Sequence, residues 1–324
     1  MPTRNLALEL VRVTESAALA AGRFVGRGDK VAADKASVDA MRLILNSIQM
    51  DGVIVIGEGE KDEAPMLYNG ERLGTGEPPE VDIAVDPIDG TRPCAYGLPN
   101  SIATVALAPR GSMFNPGPFL YMNKLAVGPV AKDLVDIEAP VRYNLEKVAK
   151  AKGEKMEDLT VVILDRPRHT ELIREVRACG ARILLIPDGD VAGAMMTCWE
   201  HSHVDMLLGT GGTPEGVLAA CALRAMGGTI QGKLVARNQD EIDRGRELGY
   251  DMTKVLTIDD LVSSDNTFFA ATGITNGELL EGVDYFANGA RTDSLVMRGS
   301  TGTVREIIAT HRLEKLGKIS MIDY

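Results

Sequence analysis

Several short apolar runs in this chain stop abruptly at turns rich in glycine, proline and charge. Val53-Ile54-Val55-Ile56 gives way to Gly57-Glu58-Gly59-Glu60, and the run at 81–85 to Asp86-Pro87-Ile88-Asp89-Gly90-Thr91. The run at 161–164 meets Asp165-Arg166-Pro167-Arg168-His169, and that at 182–186 meets Pro187-Asp188-Gly189-Asp190. The run at 204–208 meets Gly209-Thr210-Gly211-Gly212-Thr213-Pro214-Glu215. The continuous β-branched run Val53–Ile56 suits a strand buried on both faces, and the others read as further strands. Residues 102–108 read as a further strand. Helical spacing recurs between the runs: Leu6, Leu10, Val13 and Ala17; then Val38, Met41, Leu45 and Ile48, with Asp34 near the start of that helix. Further helical patterns lie near 143–151 and 171–178. Strands alternating with helices predict an α/β protein. The charged stretch at 132–158 predicts two lobes of one domain, with a boundary near 135–160.

In open α/β sheets, ligands bind beyond the carboxyl ends of strands. Glu58, Asp86, Asp89, Arg166, Arg168, Asp188, Asp190 and Glu215 all follow candidate strands. In the Asp86–Asp89 turn, Pro87 fixes one backbone angle and Gly90 permits conformations closed to other residues. Such a turn can aim two carboxylates and the Thr91 hydroxyl at one point. Crowded carboxylates repel unless a cation lies between them, and hard oxygen donors suit Mg²⁺ or Mn²⁺. The alternative is an ordinary surface turn. The acidic loop at 57–62 is a weaker signal alone, since solvated loops are often acidic.

The Gly-rich loop at 209–213 enters a helix, with Thr213 placed as N-cap and Pro214 as first helical residue. Its backbone N–H groups could meet a phosphate. The loop lacks the lysine of a P-loop and the glycine spacing of a dinucleotide fingerprint. Glu215 could hold a cation or only complement the helix dipole. Arg166 and Arg168 could grip a phosphate bidentately or stand as exposed basic residues. His201 and His203 have no third histidine nearby and read as structural.

Composition narrows the partners. The 324 residues carry 46 acidic and 35 basic side chains, a net charge of −11, which disfavours nucleic-acid binding. Four cysteines without a C-x-x-C pair read as reduced thiols. Glu9, Arg12 and Glu15 interrupt any apolar run near the N-terminus, and no stretch suits a membrane span. The expected location is the cytoplasm, with no membrane partner.

Together, Gly57-Glu58-Gly59-Glu60, Asp86-Pro87-Ile88-Asp89-Gly90-Thr91 and Gly211-Gly212-Thr213-Pro214-Glu215 resemble class II (GlpX-type) fructose-1,6-bisphosphatases. The Asp-Pro-Ile-Asp-Gly-Thr string is shared with the wider lithium-sensitive phosphatase superfamily. Arg-Pro-Arg-His and Gly-Gly-Thr-Pro-Glu-Gly resemble the narrower family, and the resemblance covers nearly the whole chain. It implies a layered αβαβα sandwich of the sugar-phosphatase type. The implied activity is hydrolysis of fructose 1,6-bisphosphate in gluconeogenic sugar-phosphate metabolism, with sedoheptulose 1,7-bisphosphate as a second candidate substrate. Asp34, Glu58, Asp86, Asp89 and Glu215 would be ligands to two or more Mn²⁺ or Mg²⁺ ions. Asp62 and Thr91 would polarise the attacking water. Substrate would touch Asp89, Gly90, Thr91, Tyr121, Arg166, Pro167, Arg168, Asp188, Gly189, Asp190 and Gly212. A homodimer or homotetramer is implied. Arg166 stands where some relatives carry lysine, and Pro93-Cys94 departs from the usual pattern and could alter its loop. Two other assignments remain open: a monophosphatase of the inositol type, and a sugar-phosphate sensor, against which Asp62 and Thr91 argue.

Overall fold

A computed structural model describes residues 5–59 and 66–320. In chain order it begins with α1 (Ala7–Gly22) and α2 (Lys30–Leu45). Then come β1 (Asp51–Ile56), β2 (Arg72–Leu73), β3 (Glu80–Asp89), α3 (Thr91–Tyr96) and β4 (Ile102–Pro109). It continues through β5 (Tyr121–Val127), α4 (Val141–Lys152), β6 (Thr160–Leu164), α5 (Thr170–Ala178), β7 (Arg182–Ile186) and α6 (Asp190–Met196). After β8 (Met206–Gly212) follow α7 (Thr213–Met226), β9 (Thr229–Val235), α8 (Gln239–Glu247) and α9 (Ile258–Leu261). The last elements are β10 (Phe268–Gly273), β11 (Asp284–Phe286), β12 (Gly289–Arg298), β13 (Thr303–His311) and α10 (Leu313–Ser320). The predicted α/β class is borne out.

The chain divides into two compact units. The first comprises residues 1–113 and 264–324; the second is 114–263, and the stretch 135–160 lies inside it. In the first unit the sheet runs β11-β12-β10-β4-β3-β1-β2, with β13 paired to β12. Leu6, Leu10, Val13 and Ala17, the predicted face of α1, are all buried, as are Val38, Met41, Leu45 and Ile48. Asp29 starts α2 by accepting the Ala32 N–H at 2.9 Å, which satisfies one orphan donor of the helix end. At about 25 cal/mol per Å² of apolar area, such faces supply the main force holding each helix to its sheet.

In the second unit the sheet runs β7-β6-β8-β5-β9. Strands β6, β7 and β8 are mutually parallel where they pair, while β5 runs against both β8 and β9. Parallel strands need crossover connections, which α5 and α6 supply. A separate core forms around Leu125, Leu145, Val161, Ile163, Val176 and Met206.

Candidate active site

In the first unit, β1 and β3 are parallel neighbours, with Ile56 opposite Ala84. Their carboxyl ends therefore leave the sheet at one edge, with Glu58 just past β1 and Asp86 two residues past Ala84. Strand β3 does not end cleanly there. Asp86 pairs with Thr104 and Asp89 with Ile102, so three steps on β3 face two on β4. This is a bulge, and Pro87, which has no N–H to give a ladder, occupies it.

The bulged turn is held from within and from outside. Ile88 donates its N–H to Asp86 Oδ1 at 3.1 Å, and the Thr91 hydroxyl donates to the Ile88 carbonyl at 3.3 Å. Gly90 takes φ of 92°, a left-handed conformation open to glycine, and serves as the cap of α3. Ser37 on α2 donates its hydroxyl to the Pro87 carbonyl at 2.8 Å. Asp34 lies three residues earlier on α2 and so shares a face with Ser37. Burial pushes the Asp34 carboxyl above its ordinary range. Asp89 is only 3% exposed. Pro93 falls within the first turn of α3, where a missing N–H costs nothing, so Pro93-Cys94 fits the helix. Asp62 lies outside the described residues, as do Glu60 and Lys61.

In the second unit, the parallel strands β6, β7 and β8 deliver Arg166, Asp188 and Gly212 to one sheet edge. Tyr121 opens β5 directly opposite Gly212 in the register. Arg166 donates from Nη1 to the Pro187 carbonyl at 2.5 Å, and its Nη2 lies 3.4 Å from Asp188 Oδ1. Arg168 donates to the Thr210 carbonyl from Nε at 3.0 Å and Nη2 at 2.7 Å, and its guanidinium lies 5.2 Å over the Tyr121 ring. A guanidinium carries five N–H donors, so this anchor leaves three to meet a ligand.

His169 fixes the same corner from beneath. Its Nε2 accepts the Thr210 N–H at 2.8 Å, so Nδ1 carries the proton and donates to the Leu164 carbonyl at 2.7 Å. Burial, and then the positive charges of Arg168 and Arg166, hold this imidazole below its ordinary pKa.

Gly211 and Gly212 make room for two carboxylates. A Cβ on Gly211 would collide with Asp190 Oδ2, and one on Gly212 with Glu215 Oε2. Both oxygens are buried; Asp190 Oδ2 is met by the Lys124 ammonium, whereas Glu215 Oε2 has no hydrogen-bond partner among the described residues. Burial, then repulsion from Asp190, raises Glu215 to about 7 despite the opposing Lys124 charge. A carboxylate that must stay charged in such a place needs a cation. Among the described residues, no three His, Cys, Asp or Glu side chains already stand grouped to hold a metal.

The helix start differs from the sequence expectation. Gly212, not Thr213, is the N-cap, and Pro214 is the second helical residue. The Thr213 N–H is taken by the Leu120 carbonyl at 2.9 Å, so Thr213 is drawn into the helix and its hydroxyl caps nothing.

Two contributors were not among the expected site residues. Lys124 sits on β5 with 3% of its side chain exposed, 2.5 Å from Asp190 Oδ2 and 2.8 Å from the Gly212 carbonyl. Its only sequence signal is a lysine inside the apolar stretch Met122–Val127. His169 is signalled only by its place after the two arginines.

Parallel strands ending in carboxylates in one unit, and in a pair of arginines in the other, define an α/β protein equipped for both cations and anions. The family described as bacterial fructose-1,6-bisphosphatase, glpX-encoded, matches residues 4–311, and the chain belongs to it. It is 48% identical over 325 aligned positions to fructose-1,6-bisphosphatase 1 class 2 of Escherichia coli strain K12, covering 96% of each chain. Fructose-1,6-bisphosphatase class 2 of Shigella flexneri matches to the same extent. No helix among the described residues is long and apolar enough to cross a membrane.

Proposed function

We propose that this chain is a metal-dependent phosphoric monoester hydrolase that converts fructose 1,6-bisphosphate and water to fructose 6-phosphate and phosphate. The observation that carries this assignment is the 48% identity, over 96% of both chains, to a protein named for that activity. The unpartnered carboxylate oxygen of Glu215, and the carboxylates of the bulged turn, are the hard oxygen donors that Mg²⁺ or Mn²⁺ requires.

Asp34, Glu58, Asp86, Asp89 and Glu215 are the proposed ligands. Bound divalent ions would neutralise phosphate charge and lower the pKa of a coordinated water. Thr91, whose hydroxyl already hydrogen-bonds within its turn, orients the attacking water, and Asp62 acts on that hydroxyl. The water oxygen bonds to phosphorus, the bond to the sugar oxygen breaks, and that oxygen leaves with a proton. Asp89, Gly90 and Thr91 line the reacting end.

Arg166, Pro167, Arg168 and Tyr121 grip the distal phosphate. The two guanidiniums are pre-anchored on carbonyls, so little rotamer freedom is lost when they engage an anion. Asp188, Gly189, Asp190 and Gly212 surround the sugar. Sedoheptulose 1,7-bisphosphate presents similar terminal phosphates and is a proposed second substrate. A homodimer or homotetramer in the cytoplasm is the proposed setting.

The test is phosphate release from fructose 1,6-bisphosphate, sedoheptulose 1,7-bisphosphate and inositol 1-phosphate, with Mn²⁺ or Mg²⁺ supplied in turn. Preference for the bisphosphates supports the assignment. Preference for the monophosphate moves the chain to the inositol type, and no release with either metal leaves the sensor.

A further inference from the structure

A lysine ammonium removed from water must be met by acceptors or it destabilises the fold. Lys124 has two of different kinds: the Asp190 carboxylate and the Gly212 carbonyl. The second contact matters for where it falls. The Gly212 carbonyl belongs to the peptide joining Gly212 to Thr213. The N–H of that peptide donates to Leu120 O at 2.9 Å. Both polar ends of one peptide are therefore fixed by residues at or beside β5.

That peptide opens α7, whose N-cap has no side-chain hydrogen bond of its own. Its orientation sets the first helical turn, and Glu215 stands in that turn. The Glu215 carboxylate folds back over the Gly212 Cα, in the space a Cβ would fill, with Oε2 buried and unpartnered among the described residues. A rotation of the peptide would move the floor on which that carboxylate lies.

We propose, building on the phosphatase assignment above, that Lys124 is a positioning residue for the reaction: through the Gly212 carbonyl it fixes the peptide that presents Glu215 to a divalent cation. The Asp190 contact holds the ammonium in place. The Gly212 contact transmits its position to the ligand.

The experiment is a mutant cycle read by two measurements. Mn²⁺ binding is followed through the EPR signal of the free ion, and melting is followed without metal. Asp190→Asn removes the ion pair but leaves Lys124 on the Gly212 carbonyl, and Mn²⁺ binding stays within about threefold of wild type. Adding Lys124→Met to Asp190→Asn weakens Mn²⁺ binding by at least about tenfold, while the metal-free Tm stays within roughly 4 °C of the single variant. The kcat falls with it, and KM for fructose 1,6-bisphosphate changes less than kcat.

A double variant that binds Mn²⁺ as Asp190→Asn does, or that fails to fold, overturns the proposal and leaves Lys124 a structural cation. Glu215→Gln separates the two levels. Unchanged Mn²⁺ binding in that variant would remove Glu215 from the ligand set, and with it the metal assignment itself.

Discussion

Arg168 closes on the carbonyl oxygen of Thr210 with two nitrogens, at 3.0 and 2.7 Å, while its guanidinium lies over the Tyr121 ring. Its position is thus set before any ligand arrives, with three N–H donors still available. Arg168→Ala should raise KM for fructose 1,6-bisphosphate by roughly 10- to 100-fold and change kcat much less, in steady-state kinetics. Arg168→Lys should recover little of the loss, because one ammonium cannot anchor on Thr210 and fork onto a phosphate. Full recovery by lysine would mean that charge alone suffices.

The Asp86 carboxylate organises its own turn by accepting the Ile88 N–H, in the bulge near the carboxyl end of β3. Asp86→Ala should abolish turnover yet leave the metal-free Tm near wild type. Chelation of the wild-type enzyme should also abolish turnover, and added Mn²⁺ or Mg²⁺ should restore it. Near-normal activity in Asp86→Ala would remove this carboxylate from the chemistry.

Gly212 has no room for a side chain, because Glu215 fills that space. Gly212→Ala should lower kcat by about 100-fold or more, as displacement of a reacting group by about 1 Å does. Circular dichroism should report a retained fold. An active Gly212→Ala would show that Glu215 can serve from another rotamer.

Ser37 ties α2 to the bulged turn through the Pro87 carbonyl, and its side chain is fully buried. Ser37→Ala leaves that carbonyl without its donor. The expected cost is about 1–2 kcal/mol in denaturant unfolding, together with a lower kcat as Asp34 loosens from the turn. A stability loss without any change in kcat would separate α2 from catalysis.

His169 accepts the Thr210 N–H only while its ring is neutral, and burial holds its pKa below 6.5. The unfolded chain takes up the proton first as pH falls. Stability from this group is therefore complete above about pH 6.5 and declines below it. The wild type should lose roughly 2 °C more of its Tm between pH 6.5 and 5 than His169→Asn does. Equal slopes would place the acid sensitivity elsewhere.

How much of this was legible in the chain differs by element. The Asp86–Thr91 turn announces itself because proline, glycine and two carboxylates act locally, within six residues. The helices α1 and α2 were legible from spacing, since a buried face repeats whatever it packs against. Lys124 was not, because its two partners lie 66 and 88 positions away and a lone lysine in an apolar run carries no signature of either. Strands β10 and β12 gave no comparable end signal. They sit mid-sheet and run antiparallel to their neighbours, so their register depends on partners rather than on their own turns. The cap of α7 was misplaced by one residue because a carbonyl outside the helix, that of Leu120, competes for the Thr213 N–H.

Strand β10 lies against β4 along its whole length, from Gly273 opposite Ile102 to Phe268 opposite Leu107. About 160 residues of chain must leave the ribosome between these two partners. During that interval β4 has an open flank, and the first unit cannot close its sheet however quickly its early helices form. Synthesis should therefore complete the second unit first, and a nascent chain stopped before residue 268 should expose β4 to proteases or chaperones.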